Sequence, residues 1–251
     1  ERSPTNTPNV VPKWGIYRQS QHYEICTTYP QELIIPTQLI DNHEQLLQIV
    51  KYRSKGRIPV LCYHHNFNGT NMLRCAQPLV GVGQFRRSHE DEIYITQLVN
   101  AKLIVDARPL NNARANMAKG GGYEVSTHYK DIEVFFANIE NIHVIRESLQ
   151  IIKELCFELL KGDDRNELMN VDDYYHKQLI SSSWIKHLRY VLRGAYKIAK
   201  TMHHMYGNVI IHCSDGWDRT AQLSSLSQIL LDHYYRTIKC LAILIEKEWV
   251  S

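Results

Sequence analysis

The sequence contains no apolar run approaching the roughly 18 residues that a bilayer-crossing helix needs, so no spanning helix is expected. No secretory leader pattern is visible. The formal net charge is only +3, too small to argue for a nucleic-acid partner and compatible with anionic substrates or a lightly anionic membrane surface. Six cysteines (Cys26, Cys62, Cys75, Cys156, Cys213 and Cys240) lack paired spacing, so neither a disulfide framework nor a cysteine metal site is expected. Such a pattern suits a reducing compartment. Internal repeats and low-complexity tracts are absent as well.

What is present is one large domain or most of one: 251 residues, 44% apolar, enough for a substantial core. Residues 1–13, interrupted by Pro4, Pro8 and Pro12, are expected to be a flexible N-terminal segment. Trp14 to Tyr17 reads as a short strand or an anchor, and residues 25–36 alternate between apolar and turn residues. Asp41 with Glu44 predicts a capping box for the helix that follows, and Ser88 with Asp91 predicts another cap. Ile58 to Tyr63, Leu73 to Val80, Lys102 to Asp106 and Ile132 to Ile139 read as extended segments. Residues 110–122 (LNNARANMAKGGG) read as a glycine-rich polar loop carrying Asn112, Asn116 and Lys119, with a surface loop as the alternative to a binding segment. A helix with the stripe Ile145, Leu149, Ile152, Cys156 and Leu159 follows, then an acidic, irregular connection over 161–178. A long amphipathic helix is marked by Trp184, Leu188, Val191, Ala195, Ile198 and Met202. Strands separated by helical runs predict an α/β fold with a central, largely parallel sheet flanked by helices.

The stretch from Asn208 to Tyr234 organises the rest. Val209, Ile210 and Ile211 form a β-branched run into His212 and Cys213. A polar loop with one glycine follows, and Arg219 and Thr220 open a helical pattern with Leu223, Leu226, Leu230 and Tyr234. The first amides of a helix are unpaired, so strand, tight loop and helix start together make an anion cradle. Cys213 and Arg219 stand six positions apart. Five intervening residues can curl so that their N–H groups converge on one phosphoryl group, with the guanidinium adding a bidentate pair. A free thiol ionises near about 8.5, but helix-start amides and a cation commonly bring that to roughly 3.5–7.5. This is the arrangement that phosphate-monoester hydrolysis through a cysteinyl phosphate requires.

The string HCSDGWDRTAQL (His212 to Leu223) resembles the signature loop of the myotubularin phosphoinositide 3-phosphatases, a branch of the cysteine-dependent phosphatases. The segments RSKGRIPVL (53–61), RCAQPLVG (74–81), DARP (106–109), AKGGGYE (118–124), NIHVIRES (141–148), DHYYRTIKC (232–240) and EKEW (246–249) resemble others of that family. The likeness covers essentially residues 29–250. It implies the cysteine-dependent phosphatase fold and removal of the 3-phosphate from phosphatidylinositol 3-phosphate and phosphatidylinositol 3,5-bisphosphate, with no cofactor and no metal. It also implies a phosphoinositide headgroup in a membrane as partner, and homo- or hetero-oligomers with related myotubularins in the full-length protein. The expected location is cytoplasmic, peripheral on endosomal or other intracellular membranes. Residues 14–251 are read as the phosphatase domain, truncated at its C-terminus, because the family's domain continues past EKEW.

Each residue of the loop has an expected role. Cys213 is the nucleophile, Arg219 the phosphoryl clamp, and Asp218 the general acid, with water positioning as its rival role and Asp215 as the rival acid. Ser214, Asp215, Gly216 and Trp217 supply the substrate cradle. Asp215 contacts inositol hydroxyls or braces the loop, and Trp217 packs on the inositol ring or anchors the loop. His212 orders the loop. From the resemblance, Asn116, Lys119 and Asn141 would meet the headgroup; Asn141 has the alternative of capping a helix. Arg108 is expected to pair with a carboxylate inside the domain. Two other functions compete: a protein tyrosine phosphatase, and a non-catalytic phosphoinositide-binding or scaffold fragment.

Overall fold

Val209, Ile210 and Ile211 are fully buried at the middle of a five-stranded sheet. The computed structural model describes residues 12–81, 87–161 and 171–250. The chain begins with an antiparallel pair, β1 (Trp14–Arg18) and β2 (Glu32–Pro36), followed by α1 (Thr37–Ile40) and α2 (His43–Tyr52). Next come β3 (Val60–His65), β4 (Thr70–Ala76), α3 (His89–Ile93) with a wider π-type turn over Tyr94–Leu98, and β5 (Ala101–Asp106). Then follow α4 (Leu110–Met117), β6 (Glu133–Phe136), α5 (Ile142–Lys161), α6 (Val171–Ser181) and α7 (Trp184–His204). The chain closes with β7 (Asn208–Cys213), α8 (Arg219–Leu231), α9 (Ile238–Ile245) and a π-type turn, Glu246–Val250.

The sheet order is β3-β4-β7-β5-β6. β3 and β4 are antiparallel; every other neighbouring pair is parallel. β7 therefore has a parallel neighbour on each side, with Ile210 between Leu73 and Ile104. A strand buried on both faces favours an unbroken β-branched run over an alternating one. Its side chains still alternate between faces. Ile210 enters a cluster with Leu46, Ile49, Tyr94 and Ile95, whereas Val209, Ile211 and Cys213 enter one with Ala195, Ile198, Met202 and Leu223. Helices α2 and α3 thus cover one face, and α7 and α8 the other. This is the expected α/β architecture with a largely parallel centre.

Several local expectations are corrected. Asn42, not Asp41, caps α2, accepting the Gln45 N–H at 3.1 Å, so the helix starts one residue later than the acidic pair indicated. Ser88 does cap α3, through the Asp91 N–H. Residues 110–117 are a helix and not a loop; Pro109, with its fixed φ, precedes the first turn, and Ala113 is its buried side chain. Of the glycines after it, Gly121 and Gly122 are packed, whereas Gly120 faces open space. A Cβ on Gly122 would lie 2.3 Å from Val80, so the backbone itself fills that gap. In α5, Cys156 is exposed and Leu155 is buried, because the inner stripe runs through Ser148 and Leu155. The side chain of Leu159 lies outside the described residues. Of the expected irregular connection, residues 162–170 fall outside the described residues and 171–181 are helical. The first eleven residues of the expected flexible segment are also outside them; Lys13 is tied down by accepting the Thr37 N–H at 2.8 Å.

Helix α8 departs most from its apolar pattern. Leu223 is buried, but Leu230 and Tyr234 are exposed, and the inward face also carries Ser224, Ser227 and Gln228. The buried Glu248 carboxylate is the reason: it accepts from Ser224 Oγ at 2.6 Å and Gln228 Nε2 at 2.8 Å.

Ile210→Ala at the sheet centre should leave a cavity that neighbouring strands cannot collapse around. Urea unfolding should show a loss of about 2–5 kcal/mol.

Candidate active site

β7 ends at Cys213 and α8 begins at Arg219, so residues 214–218 must turn from strand to helix within one short loop. Cys213 is buried, and its sulfur accepts the Gly216 N–H at 3.3 Å. Gly216 has φ +83°, and a Cβ there would sit 2.3 Å from the Cys75 carbonyl oxygen, so only glycine fits. Two loop carbonyls are held from outside. Ser214 O accepts the Gln77 N–H at 3.1 Å, and Cys213 O meets His212 Nδ1 at 3.0 Å. In a trans peptide the N–H opposes the C=O, so the Ser214 and Asp215 amides face away from those anchors.

Burial by itself pushes the Cys213 thiol pKa up. The Thr220 hydroxyl, the Arg219 guanidinium and the N–H groups of Gly216 and Thr220 outweigh it, and the thiol lies below its ordinary value. Among the described residues Thr220 Oγ1 is buried without a partner in hydrogen-bonding geometry, so its help to the sulfur is that of a nearby dipole and not a formed bond. Arg219 Nε is likewise buried and unpartnered among the described residues. A guanidinium with an unused donor beside a thiol of lowered pKa at a helix N-terminus is equipped for an anion.

Behind the loop lies a fully buried ionic network. His212 Nε2 is 2.8 Å from Glu124 Oε2, and Arg53 reaches Glu124 at 2.6 Å. Arg53 also grips Asp91 bidentately at 2.8 and 2.6 Å, and Tyr129 donates to Asp91. Burial lowers the His212 pKa, but the Glu124 and Asp106 carboxylates outweigh that and raise it. Burial raises the Glu124 carboxyl, but His212 and Arg53 hold it well below the usual carboxylate range. With a carbonyl on one ring nitrogen and a carboxylate on the other, His212 donates from both as an imidazolium. Arg108 pairs with Asp106 at 2.6 Å, as expected, and also reaches Gln77 and the Gly122 carbonyl.

The remaining expected residues sit around the loop in different ways. Asn116, on α4, donates to Ser214 Oγ at 3.0 Å, which brings it to the loop. Asp215 lies 3.9 Å from Lys55 Nζ and 3.5 Å from Ser54 Oγ. Lys55 Nζ stands 4.2 Å over the Trp217 ring, with Arg57 at 5.5 Å from the same ring. Asp218 is exposed and occupies the N-cap position of α8, yet its side chain makes no cap hydrogen bond. Lys119 is exposed in the turn after α4. Asn141 uses its side-chain oxygen to accept the His143 and Val144 N–H groups at the start of α5, the capping alternative. A cleft of about 580 Å³ lined by Asn68, Asn71, Lys102 and Asn208 opens at the other end of β7, away from Cys213.

Residues 3–251 match the family described as the myotubularin-like phosphatase domain. The chain belongs to the myotubularin family. It is 42% identical over 244 residues to the mouse (Mus musculus) phosphatidylinositol-3,5-bisphosphate 3-phosphatase MTMR2, covering 95% of this chain and 36% of that protein. The chicken (Gallus gallus) protein of the same name is also 42% identical over 95% of this chain and 40% of its own length. Myotubularin of Xenopus tropicalis is 41% identical over 246 residues, again 95% of this chain and 38% of the relative. The chain thus spans well under half the length of these relatives.

The myotubularin signature of this chain is supported by groups that the loop sequence alone does not reveal: Lys55, Arg57, Arg74, Gln77, Glu124 and the Asp106–Arg108 pair. Their signal was indirect, since each lies inside a segment that resembles the family. Lys55 adopts φ +55°, a left-handed conformation that is costly for a lysine and that turns its side chain toward the loop.

Two measurements follow from this electrostatics. The rate of iodoacetamide alkylation at Cys213 should reach its half-maximum at a pH below the roughly 8.5 of a free thiol. Glu124→Gln should strip His212 and Arg53 of their shared anion and destabilise the fold by about 3–5 kcal/mol. His212, with its raised folded pKa, contributes fully below its unfolded value of about 6.5 and loses that as pH rises through the folded pKa. Glu124, with its depressed pKa, contributes above about 4.3 and loses that as pH falls toward the folded value. Urea titrations should therefore show the widest gap between variant and parent from about pH 4.3 to 6.5.

Proposed function

We propose that this domain removes the 3-phosphate from phosphatidylinositol 3-phosphate and phosphatidylinositol 3,5-bisphosphate by way of a cysteinyl phosphate. The observation that carries the reading is the Cys213 sulfur, buried at the entrance to a helix, accepting a loop amide beside an arginine with an unused donor. The likeness to proteins named phosphatidylinositol-3,5-bisphosphate 3-phosphatase supports the substrate class.

In the first step the Cys213 thiolate attacks phosphorus, and the inositol 3-oxygen leaves with a proton from Asp218. In the second, water attacks the cysteinyl phosphate, Asp218 takes its proton, and inorganic phosphate and the thiolate are released. Arg219 and the loop amides hold the equatorial oxygens as charge shifts among them. Asp218 suits the acid role because its carboxylate is not used as a helix cap and faces solvent at the loop's end. Asp215, held by Lys55 and Ser54, suits bracing better than proton transfer.

Ser214, Gly216 and Trp217 line the cradle with their backbones, Asn116 orders Ser214, and Lys119 offers an exposed cation to the rest of the headgroup. Asn141, with its oxygen engaged in the α5 cap, retains only its amide group for a ligand. Residues 14–251 act as the phosphatase domain of a longer protein that works at the surface of endosomal or related membranes and associates with other myotubularins. None of the described helices is long and apolar enough to cross a bilayer, which is compatible with action from the surface.

Phosphate release from a short-chain 3-phosphoinositide and from a phosphotyrosyl peptide, measured side by side, tests the reading. The lipid should turn over with the higher kcat/KM. Cys213→Ser should abolish release, and Asp218→Asn should lower kcat by about 10²–10⁴. Equal or faster peptide turnover sinks the lipid assignment. Release unchanged in Cys213→Ser sinks the chemistry.

A further inference from the structure

The third loop carbonyl with an outside partner is that of Gly216, and its partners are two arginines. Arg74 Nη2 donates to Gly216 O at 2.9 Å, and Arg57 Nη2 approaches it at 3.4 Å. Both side chains come from outside the loop: Arg74 from β4, paired with Ile211 of β7, and Arg57 from the segment just before β3. Each is itself fixed. Arg57 Nη1 donates to the Thr28 carbonyl and hydroxyl at 2.6 and 2.9 Å, and its guanidinium lies 4.1 Å from the Tyr29 ring centre. Arg74 Nη1 donates to both the carbonyl and the carboxylate of Glu248, at 2.8 and 2.9 Å. Glu248 is completely buried, with Ser224 and Gln228 of α8 on the same carboxylate.

Planarity gives these contacts a second meaning. The Gly216 carbonyl and the Trp217 N–H belong to one trans peptide and point in opposite directions. A carbonyl drawn toward two guanidiniums therefore sends the Trp217 N–H away from them. That direction matters at this peptide in particular. Gly216 has no Cβ and lies at positive φ, so sterics alone hold its following peptide less firmly than any other in the loop. Rotated half a turn, the same peptide would place a carbonyl oxygen where a phosphoryl oxygen should find a donor.

We infer that Arg74 and Arg57 are positioning residues that hold the Gly216–Trp217 peptide with its N–H turned into the phosphate cradle, and that Glu248 latches Arg74 in that position. The inference rests on the proposed phosphatase reading. It adds that the turn after α9 and the phosphate-binding loop share one guanidinium, so cradle geometry depends on how that turn is seated. Neither arginine touches the substrate. Their effect passes through one amide, which strengthens as charge accumulates on the phosphoryl oxygens.

The test uses Arg74→Lys and Glu248→Gln in the full-length protein, with near-UV circular dichroism and melting to confirm native packing. A lysine keeps the charge but cannot span Glu248 and Gly216 together. Arg74→Lys should lower kcat by about 10² with little change in KM, as expected for removal of one preorganised donor. Competition by orthovanadate, which resembles the transferring phosphoryl group, should weaken about tenfold or more and always more than competition by inorganic phosphate. Glu248→Gln should move both readouts the same way by less, and it decides the matter if Arg74→Lys does not fold. A natively packed Arg74→Lys protein with parental kcat and parental vanadate affinity overturns the inference. If the parent releases no phosphate from lipid yet binds vanadate at Cys213, the substrate reading fails and vanadate affinity alone judges the arginines. A parent that binds no vanadate overturns both.

Discussion

A sulfur nearly sealed from water carries negative charge only where fixed donors and cations replace the hydration it has lost. At Cys213 the replacements come from two directions: an amide across the loop, and a guanidinium, hydroxyl and amide at the helix start. The His212 imidazolium, one residue earlier in the strand, meets the Cys213 carbonyl instead. Each is fixed by something larger than itself. The amide depends on a glycine that no other residue can replace, the guanidinium on the first turn of α8, and the imidazolium on a carboxylate from the segment after α4. The sheet places these groups at the carboxyl ends of its parallel strands, where open α/β sheets gather their ligands.

The polar groups behind the loop would be a poor way to stabilise an ordinary core. Buried ion pairs of this kind roughly break even against apolar side chains of the same shape, while losing one partner is severe. Arg53, Glu124, His212 and Asp91 are all fully buried and mutually satisfied, so the network specifies one geometry and tolerates little else. Away from this corner the packing is conventional, with aliphatic clusters on both faces of the sheet. The polar interior therefore fixes the loop, and the apolar interior holds the domain together.

How much was legible in the sequence follows from the same division. The strand into Cys213, the turn and the helix from Arg219 were readable, because periodicity, spacing and the needs of a phosphoryl group all agree over a dozen residues. That Arg108 pairs with a carboxylate inside the domain was expected, and the partner, Asp106, lies only two residues away. The supporting partners were not. Arg53 and Glu124 are 71 residues apart, His212 and Glu124 88, and Arg74 and Glu248 174. No local pattern reports such pairs. The inner face of α8 misled for the same reason, since Ser224 and Gln228 look solvent-facing until the distant carboxylate between them is known. Residues 110–117 misled differently: a polar, asparagine-rich composition outweighed the helix start that Pro109 marks.

The central position of β7 has a further consequence for motion. With a parallel neighbour on each side and a helical layer over each face, its amides have no edge from which to fray. Solvent protons can reach them only when the whole sheet separates, so they belong to the slowest-exchanging class in the molecule. The loop proposed to hold the phosphate is thus anchored to the least yielding segment of the backbone, so any adjustment to a ligand falls to side chains and to the rim beyond Cys213.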